Sequence, residues 1–107
     1  MQVGQTNYFR TTLMVSTKLK GIRLRVDVHP RVSAKRPDLT DDVVTAAFEN
    51  ALKSRARDTH PVHWVGVGLD SDGRLLEWVA VENEPDGWFI FHAALATEAT
   101  LKEVGLK

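Results

Sequence analysis

Val65-Gly66-Val67-Gly68-Leu69-Asp70-Ser71-Asp72-Gly73-Arg74-Leu75-Leu76-Glu77-Trp78-Val79-Ala80-Val81 reads as two strands joined by a tight turn. Asp70-Ser71-Asp72-Gly73 supplies the turn, with Gly73 free to take a positive φ. In the second strand Leu76, Trp78 and Ala80 share one face, and Leu75, Val79 and Val81 share the other, with Glu77 among them. A strand apolar on both faces is central in a sheet, with helix covering at least one side. The rest of the chain must supply that cover.

Outward from the hairpin, His63, Val65, Val67 and Leu69 alternate with Val62, Trp64, Gly66 and Gly68, which predicts a strand over about 62–69. Gly66 and Gly68 leave a flat strip on one face, where another group can approach closely. The second strand covers about 74–82. After the acidic turn Glu82-Asn83-Glu84-Pro85-Asp86-Gly87 comes a third strand over about 88–95. Thr97 is an N-cap for a last helix over about 98–104, which Gly105 ends. Upstream, Thr40 caps a helix of about 40–55, with Asp41 and Asp42 in its first turn and Val43, Val44, Ala47, Phe48, Ala51 and Leu52 at helical spacing. Arg55 and Arg57 would then sit at its C-terminal end. Pro30 and Pro37 bracket a short helix of about 30–36. Ile22, Leu24, Val26 and Val28 alternate with Arg23, Arg25, Asp27 and His29, which predicts a first strand of about 21–28 with one wet face. Residues 1–12 read as an arm, or as an edge strand through Thr11–Val15. Short turns favour antiparallel pairing. The expected class is α+β: a mostly antiparallel sheet with a central three-strand meander and helices packed on it.

The 107 residues predict a single domain, 1–107, with a core of its own. The hydrophobic fraction of 43% and charged fraction of 26% are those of an ordinary globular chain. No cysteine is present, which excludes disulfides and thiolate metal sites. No apolar run reaches the roughly 20 residues of a membrane span, and Met1–Asn7 does not read as a signal peptide, so a cytoplasmic location is expected. The formal net charge of zero hides a split: residues 1–60 hold eleven Lys/Arg against six Asp/Glu, and residues 61–107 three against eight. Such asymmetry suits either an anion-binding face or an unevenly charged solvated surface.

Four histidines are candidates for chemistry: His29, His60, His63 and His92. Pro61 between His60 and His63 argues against a helical ligand pair. A metal site would need His63, a second histidine and a carboxylate, and none is expected. The sequence holds no phosphate-binding glycine loop, nucleophile elbow or H-E-x-x-H, and no cofactor is expected. The strongest polar signal is basic. Arg23, Arg25, Arg31, Lys35 and Arg36 fall on the first strand's wet face and the short helix after it. They suit phosphate binding or, equally, charge protection of an edge strand. Over the roughly 20 Å from Arg23 to His29, an exposed basic face is predicted, separate from the acidic turn Glu82–Asp86. The supply of aromatics, Trp64, Trp78, Trp88, Phe89 and Phe91, also suits interface anchors.

The order of a strand ending in His29, a basic short helix ending at Arg36, Asp38–Ala47, Val65-Gly66, Gly73–Glu77 and a strand with His92-Ala93-Ala94 resembles the small BrnT-like proteins. These share the RelE/ParE-type toxin fold of bacterial toxin–antitoxin pairs. The resemblance spans about residues 22–104. It implies an antitoxin partner and metal-independent RNA cleavage. His29 and Arg36 match the histidine and the second basic position of that pattern, and Arg74 and Glu77 match its hairpin. Ser33 stands at the first basic position. Glu98, Lys102 and Glu103 stand where arginines are usual after the last strand. On this resemblance His29 or His92 transfers protons, Arg36 and Arg74 bind phosphate, and Glu77 orients one of them, with Arg23, Arg25, Arg31 and Lys35 along the RNA. The alternative, from a different class, is a non-catalytic protein-interaction module, homo- or hetero-oligomeric.

Overall fold

The computed structural model describes residues 25–83 and 86–107. Among them the chain forms β1 (Arg25–Val28), α1 (Arg31–Lys35), α2 (Asp41–Glu49), β2 (Ala51–Ala56), β3 (Trp64–Leu69), β4 (Leu75–Asn83), β5 (Gly87–Leu95) and α3 (Glu98–Glu103). The strands make one sheet in the order β1-β5-β4-β3-β2. The meander β3-β4-β5 is antiparallel at its centre, as expected, and β4 is its middle strand. β1 lies parallel to β5 at one edge. The expected edge strand at Thr11–Val15, the arm at 1–12 and the start of the first strand, including Ile22, Arg23 and Leu24, lie outside the described residues.

The turn between β3 and β4 is built by Asp70. Its Oδ1 accepts from the backbone N–H of Asp72 at 2.9 Å and of Arg74 at 2.8 Å, and Gly73 takes φ +81°. The apolar set Leu76, Trp78 and Ala80 faces α2, where it meets Val44, Ala47 and Phe48 together with Trp64, Trp88 and Ile90. Each fully buried side chain of this size contributes about 1.5–3 kcal/mol. Val65, Val67 and Val79 point to the other face and meet Val104 there. Both helix caps stand where the sequence puts them: Thr40 Oγ1 accepts from Val43 N–H, and Thr97 Oγ1 from Thr100 N–H. Pro30 precedes α1 as its cap rather than opening it.

The helix expected over 40–55 is cut short. It ends at Glu49, and Ala51–Ala56 is strand β2, paired antiparallel with β3. Ala51 and Leu52 continue the helical spacing, so local pattern favours helix. The open edge of β3 offers Ala51–Ala56 a full ladder of backbone partners, which a helix lying on the sheet face would leave unpaired. Arg55 and Arg57 are consequently on and beyond a strand, not at a helix terminus.

Two further expectations fail. Trp64, Trp78 and Trp88 are at most 6% exposed, so they are core residues and not interface anchors. Arg25 is not separate from the acidic turn: its backbone N–H donates to Asp86 O at 3.2 Å, and it pairs in register with Gly87. Parallel pairing of β1 with β5 starts where that turn ends, and this brings the two together.

Candidate functional site

The register between β4 and β5 shifts between Val79 and Ala80: Ala80 pairs with Ile90, but Val79 pairs with His92. Phe91 is the extra residue of this bulge. Bulges re-aim side chains, and here His92 is brought over Glu77 on the face that carries Val79. Glu77 Oε2 lies 2.9 Å from His92 Nε2. The other carboxylate oxygen accepts from Thr97 N–H at 2.9 Å and from Thr97 Oγ1 at 2.8 Å. Burial alone would raise the Glu77 carboxyl. Hydrogen bonds from His92, Thr97 and Thr100 outweigh it, and the carboxyl is held below its ordinary range. The His92 side chain stays 45% exposed.

These contacts dictate how His92 is protonated. A carboxylate accepts only, so Nε2 carries a proton, and Nδ1 of the neutral ring is the nitrogen left able to take one. A carboxylate that orients an imidazole and stabilises its protonated form is the logic of a general base.

His29 has the same tautomer but engages the other nitrogen. Its Nδ1 accepts from Arg31 N–H at 3.0 Å, so in the neutral ring Nε2 carries the proton. Its backbone N–H donates to Ile90 O at 2.8 Å, and its ring lies 5.8 Å from that of Phe89. Val28, one residue earlier, packs against the α2 core. Alternation therefore places His29 on the sheet face that bears Val79 and His92. Since β1 ends at Val28 while β5 runs on, the carbonyl of Phe91 is left without a strand partner on that side. Arg31 Nε donates to it at 3.1 Å, which sets the guanidinium beside the main chain of His92. Among the described residues Arg31 and Lys35 form no ion pair.

The structure thus brings His29, Arg31, Glu77 and His92 to one face. It takes Arg36 and Arg74 to another group. Arg36 binds Asp38 through Nε at 3.1 Å and through a terminal nitrogen at 3.0 Å. Arg74 spans Asp38 at 2.9 Å and Asp70 at 2.7 Å. The guanidinium of Arg36, then that of Arg74, lowers Asp38 to about 2. These two cations tie the β3–β4 turn to the α1–α2 connection, and their charge is answered by carboxylates. Arg25 is likewise paired, with Asp27 at 3.2 Å, in an exposed contact.

Sequence reading missed Thr97 and Thr100 as partners of Glu77, and Asp38 as partner of Arg36 and Arg74. It also missed Arg57, which grips Glu103 with both nitrogens at 2.7 and 2.9 Å and so holds α3 to the sheet. Apart from Arg36–Asp38, two residues apart, each is a pairing across distant parts of the chain with no local pattern. Among the described residues, no three metal-ligating side chains converge on a common point. No described helix is long and apolar enough to cross a membrane. Compared with protein-family models, curated proteins and solved structures, the chain matches none.

Proposed function

We propose that the protein binds RNA on this sheet face and cleaves it without a metal ion, as a toxin-like member of a bacterial toxin–antitoxin pair. The observation that carries the reading is the His92–Glu77 hydrogen bond on a half-exposed ring, which leaves Nδ1 able to accept a proton, with His29 just past the end of the neighbouring strand holding its Nδ1 against Arg31 N–H and presenting Nε2 instead. Cleavage at a 2′-hydroxyl needs a base for that hydroxyl, a proton for the leaving 5′-oxygen and a cation for the phosphate. His92 Nδ1 takes the 2′-hydroxyl proton as the 2′-oxygen bonds to phosphorus. The bond from phosphorus to the 5′-oxygen breaks, and the departing oxygen takes the Nε2 proton of His29 in its imidazolium form, which leaves that ring neutral. Arg31, placed by the Phe91 carbonyl, supplies the cation in place of Arg36 and Arg74. The products are a 2′,3′-cyclic phosphate and a free 5′-hydroxyl. An antitoxin would be a protein that covers this face.

The test is incubation of the purified protein with single-stranded RNA in the presence of a chelator. Cyclic-phosphate ends that disappear with His92→Ala support the reading. Intact RNA, or cleavage unchanged by His92→Ala, overturns it. A second reading, a non-catalytic interaction module, is favoured by a different observation. Arg36 and Arg74 are already engaged by Asp38, and Leu52 is 50% exposed on β2, the outermost strand on its side of the sheet among the described residues. Intact RNA together with a dimer that Leu52→Asp dissociates would support that reading instead.

A further inference from the structure

Helix α3 covers only part of its side of the sheet. Leu101 and Val104 pack with Val65, Val67 and Val79, and Phe91 reaches the margin of this cluster. The β1–β5 half carries no helix among the described residues. Two aromatic rings border it, both half-buried: Phe89, opposite Val81, and Phe91, the bulge residue, which also packs against the Val65, Val67, Val79 and Val104 cluster. Each is in contact with a histidine ring. The ring of His29 lies 5.8 Å from that of Phe89 at 56°, and the ring of His63 lies 4.9 Å from that of Phe91 at 63°. Such tilted and edge-to-face contacts fix the orientation of the rings.

Cations stand at both ends of this strip. Arg25, half-exposed, lies over Gly87, where a Cβ would meet its guanidinium at 2.8 Å. Arg31 sits at the Phe91 carbonyl. From Gly87 to Phe91 the strand rises roughly 13 Å, and Phe89 and Phe91 are roughly 7 Å apart. The exposed pair of Arg25 with Asp27 is worth little in water, so a phosphate can compete for that guanidinium.

We propose that Phe89 and Phe91 are a base-stacking platform, on which single-stranded RNA lies with its phosphates toward Arg25 and Arg31. The proposal rests on the RNA reading above and names the form of RNA that the face takes. Phenyl faces recognise unstacked bases of any sequence. A duplex hides its bases from them. The platform would set the RNA backbone across His92 and His29, which lie beside these two rings in chain and in space.

The test uses the full chain and 2′-O-methyl oligonucleotides, which bind but offer no 2′-hydroxyl for cleavage. Anisotropy would be measured with labelled eight-residue uridine and adenosine strands and with a matching duplex. Stacking contributes about 1–3 kcal/mol per base, so Phe89→Leu and Phe91→Leu are each expected to weaken single-strand binding about five- to hundredfold. The duplex should bind at least about tenfold more weakly than either strand. Phe89→Tyr should retain affinity. Phe89→Trp adds a second readout that needs no loss of packing: its fluorescence should be quenched by the uridine strand. If wild-type protein binds single strands but neither leucine variant weakens them and Phe89→Trp is not quenched, the platform is overturned and RNA binding stands. If wild-type protein binds no RNA, both proposals fall.

Discussion

A Cβ on Gly68 would run into the carbonyl oxygen of Ala47, and Asn50 O would lie 2.9 Å from it. The C-terminal turn of α2 therefore rests directly on the backbone of β3, and only glycine allows it. Trp78 completes the joint by donating from Nε1 to the same Ala47 carbonyl at 3.3 Å. Backbone cannot retreat as a flexible side chain can. Gly68→Ala is expected to destabilise the fold by about 3 kcal/mol, read as a lower midpoint in urea. An unchanged midpoint would mean that α2 is not seated on β3.

The N-cap of α2 gives a smaller effect. Thr40 Oγ1 accepts from Val43 N–H at 3.3 Å, and Asp41 and Asp42 fill the first turn. Thr40→Ala should cost about 1 kcal/mol, and Thr40→Asp should restore most of it. Equal stability of all three proteins would show that the cap contributes nothing.

Acid should weaken the protein through four carboxyls held below their ordinary values, one of them Asp70, whose burial is outweighed by hydrogen bonds from Arg74 and from the backbone of the turn. Arg36 and Arg74 lower Asp38, Arg57 lowers Glu103, and the hydrogen bonds from His92, Thr97 and Thr100 lower Glu77 against its burial. A folded value below the unfolded one means that the unfolded chain binds protons first as pH falls. The stabilisation is therefore complete above the unfolded values, 3.8 for Asp and 4.5 for Glu, and fades as pH drops through the folded ones, for Asp38 about 2. Urea midpoints should be level near neutrality and fall between roughly pH 5 and pH 2. The fall should be shallower in Glu103→Gln and in Asp38→Asn. A midpoint that rises on acidification would contradict this sign.

Glu77 has two tasks that one substitution separates. Glu77→Gln keeps an oxygen for Thr97 but sets an amide NH2, a donor, where His92 Nε2–H needs an acceptor. If the protein cleaves RNA as proposed, the rate should drop by about 100-fold or more, while circular dichroism stays native. Glu77→Ala should also loosen α3. Wild-type cleavage by Glu77→Gln would remove His92 from the role of base.

Arg36 and Arg74 belong to the scaffold in this structure. Arg74→Ala should lower the urea midpoint, because Asp70 would lose its side-chain partner, and should leave RNA cleavage by the folded protein unchanged. Arg31→Ala should do the reverse. If Arg74→Ala abolished cleavage with its fold intact, the phosphate would have to be placed at Asp38 instead.

The sequence by itself determined the meander. Alternation through Leu76, Trp78 and Ala80, the turn at Asp70–Gly73 and the caps at Thr40 and Thr97 are local. Each is read from neighbours that are also neighbours in space. The tertiary structure alone decided Ala51–Ala56, where helical spacing lost to the unpaired edge of β3. It also decided which charges are answered. Asp27 and Asp38 stand two residues from Arg25 and Arg36, within reach of the sequence, but the arrival of Arg74 at Asp38 from the β3–β4 turn is a matter of the fold. His29, Glu77 and His92 were legible as candidates one by one. Their grouping, with Thr97 and Arg31, depends on a bulge at Phe91 and on β1 stopping short of the end of β5. Both are matters of how strands register against one another. Register is set by the packing of the whole sheet, so no window of the sequence contains it.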